Sequence, residues 1–192
     1  MNIVGLLLAA GSATRFGSDK LLHRLPHGVP IAVQAARHLH SVIPVIHAVV
    51  KPGTDDLAHQ LKNEGCRVVV CGRAAEGMGA SLACGARAAG RVDGYLVALA
   101  DMPFVRTASI AAVRDALAAG APLAAPYWRA KRGHPVGISG VFFERLIASA
   151  GDEGAKDLLR ENADRLQKVP VGDPGVIRDI DTPGDLAPPL NV

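Results

Sequence analysis

Leu6–Leu22, "LLLAAGSATRFGSDKLL", decides the fold. An apolar run of strand length stops at Ala10, a loop of Gly, Ser, Ala and Thr carries Arg15 and Lys20, and apolar residues then resume. A continuous apolar run, with no alternation, fits a strand buried on both faces, as in a parallel sheet. The loop leaves the C-terminal end of that strand, where open parallel sheets bind their ligands. The glycine spacing rules out two familiar phosphate loops. Gly11 and Gly17 are too far apart for G-x-G-x-x-G, and Gly17 is followed by Ser18 and Asp19 before Lys20, which breaks a Walker A pattern. Either the stretch is a surface turn with solvated cations, or its backbone N–H groups approach phosphate while Arg15 and Lys20 bring charge to the same place.

Outward from this loop, strand and helix alternate. "PIAVQAARHLH" starts with Pro30 at an N1-like position and puts Ile31, Gln34, Ala35 and His38 on one helix face. Val45–Val50 is β-branched and strand-like. Thr54 is placed to cap a helix with Asp55 and Asp56 in its first turn and Gly65 as its stop. "RVVV", between Cys66 and Cys71, reads as a core strand. "MGASLACGARAAG" is a small-residue helix ending at Gly90, Gly94–Ala100 is a strand, and Ile110, Val113 and Leu117 mark another helix. The pattern predicts an α/β fold: a three-layer, Rossmann-like, mostly parallel sheet with helices on both faces. After about residue 121 the pattern loosens. "PLAAPYW", "HPVGIS" and "LQKVPV" are strand-like, and "VFFERLIASA" and "AKDLLREN" are helical. No linker interrupts the chain. The expectation is one domain, 1–192, with a nucleotide-binding half to about residue 120 and an acceptor-binding half from about residue 121.

Composition excludes several classes. The net charge of +3 comes without a basic block, and aromatics are 4% of the 192 residues, so no nucleic-acid footprint exists. "MNIVGLLLAAG" lacks a positive n-region and is too short for a membrane span. Cys66, Cys71 and Cys84 are odd in number and without C-x-x-C spacing, which suits reduced, buried thiols in a cytoplasmic protein better than disulfides or zinc.

Several later residues carry candidate chemistry. Asp101 follows its strand directly and can hold Mg²⁺, a hard cation that takes oxygen ligands, or cap the next helix. Asp179 and Asp181 share a side if "RDIDTPGDL" is extended; Asp181 can join the metal site or cap a short helix, and Asp185 belongs to that helix's first turn. Gly77 and Gly79 bracket Met78 ahead of Ser81, a pattern for a ligand loop or for tight helix packing. Arg129, Lys131, Arg132 and His134 can form a cationic lip for an anion, although a lone histidine is often structural. The other six histidines have no metal spacing and read as surface or packing residues.

The loop resembles the signature of the MobA-like nucleotidyltransferases through Leu8, Ala9, Ala10, Gly11, Thr14, Arg15, Gly17 and Lys20, with Phe16 where the family has Met. "GMGASLACG", "ADMPFV", "RGHPVGIS" with "GDEGAKDLL", and "DIDTPGDL" extend the resemblance in order, and within the superfamily the chain most resembles the molybdenum cofactor cytidylyltransferases. The resemblance implies transfer of CMP from CTP to molybdopterin with release of pyrophosphate. It implies nucleotide binding by Leu8, Ala9, Ala10, Gly11, Ser12, Arg15, Lys20, Gly77, Ser81 and Ala100. Arg15, Lys20 and Asp101 would be catalytic, and Asp101 with Asp181 would hold Mg²⁺ or Mn²⁺. His134, Asp152 and Lys156 would flank the acceptor; Lys156 stands where the family has Arg, which loses a bidentate fork. The partners implied are molybdopterin or the molybdenum cofactor and a molybdoenzyme receiving the product, with neither nucleic acid nor membrane. Three alternatives stay open: a guanylyltransferase using GTP, a sugar- or polyol-phosphate nucleotidyltransferase of the same fold, and a non-catalytic cofactor carrier.

Overall fold

A computed structural model describes residues 1–11, 16, 20–152 and 154–187. The expectations for Ser12 and Arg15 therefore lie outside the described residues, while Phe16 is buried and meets His23 edge-on at 5.2 Å between ring centroids.

The sheet grows from β1 (Ile3–Ala9), whose residues are apolar on both faces. β2 (Ile46–Val50) and β4 (Gly94–Leu99) flank it in parallel, and β3 (Arg67–Val70) joins β2. β7 (Val136–Ser139) then runs antiparallel to β4 and to β5 (Leu123–Trp128). β5 carries the two-residue β6 (Lys131–Arg132) in a hairpin and β8 (Leu166–Pro170) in parallel. The order β3-β2-β1-β4-β7-β5-β6, with β8 on β5, makes one continuous eight-stranded sheet through both halves of the chain.

Alternation along β1 sorts the layers. Ile3, Leu7 and Ala9 meet α1 (Ile31–His40), α2 (Asp55–Asn63) and α4 (Thr107–Ala118) on one face. Val4 and Leu6 meet α3 (Met78–Ala89), α5 (Phe143–Ile147) and α6 (Lys156–Glu161) on the other. A Cβ on Gly85 would lie 2.9 Å from Val49 Cγ2, so glycine lets α3 settle directly onto the sheet. No helix among the described residues is long and apolar enough to cross a membrane.

Four local expectations are corrected. β3 is an edge strand, with Arg67 and Val70 exposed, because no strand among the described residues lies beyond it. Thr54 occupies the cap position of α2, but its hydroxyl donates to Lys51 O at 2.7 Å and caps nothing. The helix in "VFFERLIASA" is only Phe143–Ile147, preceded by a 3-10 turn. Cys71 and Cys84 are joined as a disulfide with Cα atoms 5.9 Å apart, since the chain leaving β3 doubles back through α3; Cys66 alone is a free, buried thiol.

Candidate active site

The C-terminal ends of β1, β2 and β4 open into one groove of about 750 Å³, within the range of small-molecule sites. Leu8, Ala10 and Gly11 line it from β1, Lys51 from β2, and Leu99 and Asp101 from β4. Gly77 and Ser81 close it from the start of α3. The expected nucleotide residues Leu8, Ala10, Gly11, Gly77 and Ser81 thus meet in one place, with Ala9 and Ala100 buried beside them. A Cβ on Gly11 would meet no described atom within 4 Å. Gly77 has φ +117°, a conformation for glycine, and a Cβ there would fall 2.4 Å from Asp152 Oδ1. Asp152, expected to flank the acceptor, lines this same groove.

Asp101, Asp179 and Asp181 bring carboxylate oxygens within 4.8 Å of one another. Their convergence has a backbone cause. Ile180 is fully buried, and its N–H donates to Asp101 O at 2.9 Å, which ties the tail to the end of β4 and leaves the flanking acids on one side. Thr182 and Asp185 form the capping box of the following 3-10 turn at Pro183–Leu186. The capping role thereby falls to other residues, and the Asp181 carboxylate joins the cluster. Upstream, buried Asp173 accepts from Arg106 N–H at 2.8 Å, Ser109 Oγ at 2.7 Å and Gly175 N–H at 2.9 Å, which anchors the tail to α4.

Lys20 Nζ sits among the acids, 2.9 Å from Asp101 and 3.5 Å from Asp181. Burial pulls its pKa down, but the hydrogen bond and charge of Asp101, helped by Asp181, outweigh this and raise it, so the side chain stays a cation. The Asp179 carboxyl is raised by burial and by the charges of Asp181 and Asp101, against its own backbone hydrogen bond and Lys20. Three crowded carboxylates, all hard oxygen donors, suit a divalent cation, whose charge would offset the burial and, to a lesser degree, the neighbouring carboxylates that raise Asp179.

The second half departs from expectation. His134 and His38 line a small cavity of about 20 Å³ together with Leu99 and Met102. Burial, Arg132 and Lys156 push its pKa down to about 4, against Val97 and Asp101, so His134 is neutral at pH 7 and not part of a cationic lip. Of that lip, Lys131 and Arg132 are exposed on β6, and the Arg129 guanidinium lies over Trp128, 4.6 Å from its centroid. Lys156 is exposed at the start of α6, outside the groove lining.

Sequence reasoning passed over Lys51 as a groove residue. The signal was present: like Asp101, it follows an apolar strand directly at the ligand-binding edge.

A groove of nucleotide size at the switch of strand order, with a carboxylate cluster and a lysine at its rim, has the chemistry that binding nucleotide phosphates requires. Residues 5–168 match the MobA-like NTP transferase domain, and the chain belongs to that family of nucleotidyltransferases. Its fold is that of Rv0371c from Mycobacterium tuberculosis H37Rv (TM-score 0.81, 24% identity, 96% of each chain), a protein also solved in complex with manganese (TM-score 0.76, 22% identity, 96% of each chain). It is also that of a nucleotidyl transferase, Mth528, from Methanothermobacter (TM-score 0.80, 22% identity, 96% of this chain and 94% of that one). The 4-diphosphocytidyl-2C-methyl-D-erythritol synthase of Anaerococcus prevotii is similar too (TM-score 0.76, 16% identity, 96% and 92%). No curated protein matches the chain.

Proposed function

We propose that this nucleotidyltransferase is a CTP:molybdopterin cytidylyltransferase acting with Mg²⁺ or Mn²⁺, whose product passes to a molybdoenzyme. The observation that carries the reading is the meeting of Asp101, Asp179, Asp181 and Lys20 at the rim of the glycine-lined groove. The three carboxylates would hold the metal ion, which when bound supplies Lewis-acid stabilisation of charge on the transferring phosphate. The acceptor nucleophile is a phosphate monoester with a second pKa near ~6, already ionised at neutral pH, so the chain needs no general base. Its work is positioning and charge stabilisation. The Gly11 backbone leaves room for phosphate oxygens, and Lys20, with Arg15, neutralises the β- and γ-phosphates as pyrophosphate leaves. Lys20 is ion-paired with Asp101 and Asp181, so it serves both the acids and the leaving group from one place. Ser81, buried at the groove, offers a hydroxyl to the base. His134 and Lys156 belong to the acceptor half, His134 as a neutral side chain.

Support for cytidylyl transfer is Ala10 in the groove lining, where its methyl takes space a purine needs. Support for molybdopterin is the resemblance of "RGHPVGIS" and "GDEGAKDLL" to the cofactor enzymes. The test is pyrophosphate release with each of the four nucleoside triphosphates, Mg²⁺ and molybdopterin. Release with CTP and molybdopterin together is expected. Release with GTP moves the protein to the guanylyl enzymes, and release only with a sugar or polyol phosphate replaces the acceptor.

A further inference from the structure

We propose that Cys71 and Cys84 are a reversible dithiol–disulfide pair whose redox state sets the nucleotide affinity of the groove. The two residues are 13 apart in sequence and joined across the end of β3 and the middle of α3. The loop they close contains Gly72, Ala74, Ala75, Gly77, Met78 and Ser81, all lining the groove. One bond therefore constrains a whole side of the nucleotide site. Gly72, Arg73, Ala75 and Glu76 are exposed, so packing does little to hold the first part of this loop. A closed loop has less conformational freedom to lose when nucleotide binds, and opening it makes binding carry that ordering cost.

The chemistry needs only a dithiol reductant. Cys71 is fully buried and Cys84 is the more accessible of the two. A thiolate of the reductant attacks Cys84 Sγ and breaks the S–S bond, and the electron pair leaves on Cys71 Sγ, which takes a proton. The second thiol of the reductant displaces Cys84 Sγ from the mixed disulfide, so two electrons reduce the pair and the reductant becomes a disulfide. Cys71 Sγ lies 3.6 Å from Ala80 O, an acceptor in place for the new S–H. Cys66 stays outside the exchange, because it is buried and its thiol is pushed up to about 11 by burial and Glu64.

The pair and the nucleotide are then linked, and the linkage is reciprocal. The inference rests on the cytidylyl reading only for CTP as probe, so GTP, ATP and UTP are measured alongside. The full chain is oxidised with oxidised glutathione or reduced with dithiothreitol, and each form is verified by counting thiols after denaturation. One free thiol is expected in the oxidised form and three in the reduced form. Reduction is expected to weaken CTP binding by calorimetry about 5- to 20-fold, the low end of coupling between sites. Saturating CTP should disfavour reduction by the same factor. Cys84→Ser should bind like the reduced protein and ignore dithiothreitol, and Cys66→Ser should behave as wild type. Equal affinities of the two thiol-counted wild-type forms overturn the proposal, even if Cys84→Ser fails to fold, and so do three thiols after oxidation. Coupling seen with another nucleotide sustains it and overturns the choice of CTP instead.

Discussion

The two sides of the groove keep their shape by opposite means. On the acid side the backbone is tied: Ile180 N–H to Asp101 O at 2.9 Å, and Asp173 to three donors below it. The carboxylates project from that frame and do not build it. On the glycine side the shape comes from missing side chains. A Cβ on Gly77 would fall 2.4 Å from Asp152 Oδ1, and one on Gly79 2.4 Å from Ala150 O. The Gly79 N–H donates to Gly151 O at 2.7 Å, so two main chains touch directly. A charge carried on a tied backbone can be neutralised without moving the chain, whereas a glycine at such an approach cannot be replaced without moving it.

The strongest way to break this comparison is at Asp101. Asp101→Asn keeps the shape and removes the charge, so pyrophosphate release at saturating Mg²⁺ should fall at least about 1000-fold, or about 4 kcal/mol. Its thermal unfolding should stay cooperative. Asp181→Asn should lose less and regain part of its activity at raised Mg²⁺, because Asp101 and Asp179 remain. Retained turnover in Asp101→Asn would mean that the acid side is structural after all.

Glycines test the other side. Gly79→Ala forces the Ala150 backbone away, and overpacking of this kind costs about 1–3 kcal/mol, roughly 3–10 °C in a chain of this size. Gly72→Ala, in the same loop, meets nothing within 4 Å and should melt with the wild type. Differential scanning calorimetry of the pair decides it, and equal midpoints would show that the close approach carries no energy.

What the sequence made legible follows the same division. Asp181 lies between two 3-10 turns and was singled out by the alternation of "RDID" and by resemblance, whereas Asp101 could be placed at the sheet edge because it follows an element that apolar patterning defines. The parallel half of the sheet was readable for the same reason: β1, β2 and β4 are buried on both faces and therefore continuously apolar. The β5–β6 hairpin was not. Its two-residue turn is Arg129 and Ala130, at φ +46° and +65°, where Asn-Gly would have been the signal. The pairing of Cys71 with Cys84 and the place of Asp152 against Gly77 depend on how loops meet in space, and no periodicity encodes that. The protonation of His134 depends on burial, which one residue in "RGHPV" cannot reveal.

That histidine gives a prediction about the floor beneath Asp101. The folded-state pKa of His134 is about 4, below the 6.5 of a free side chain. Between these values the unfolded chain binds a proton that the folded one refuses. The stability contributed is present in full above about pH 6.5 and is lost as pH falls toward about 4. Urea midpoints measured from pH 7 to pH 4 should therefore decline. His134→Gln, which cannot take that proton, should decline less steeply, with a residual slope from His38 and His47, whose pKa values burial also lowers. An unchanged slope in the variant would show that His134 is solvated and open to an anionic acceptor.

The smallest expected effect concerns the base, at the point where β1 hands over to the groove. Ala10 follows β1 directly, lines the site and is buried, and a methyl group has no rotamer by which to swing aside. On the cytidylyl reading a pyrimidine would leave that volume free while a purine would compete for it, and discrimination against the wrong ligand by a fixed clash needs no added contact to the right one. The wild type should therefore prefer CTP to GTP. Ala10→Gly should narrow the ratio of kcat/KM values by about tenfold, the low end of what one methylene-sized difference gives, chiefly by raising turnover of GTP. Steady-state kinetics with both nucleotides on both proteins decide the matter. A wild type that prefers GTP reverses the assignment of the base, and an unchanged ratio in Ala10→Gly moves the source of selectivity from β1 to the glycine side of the groove.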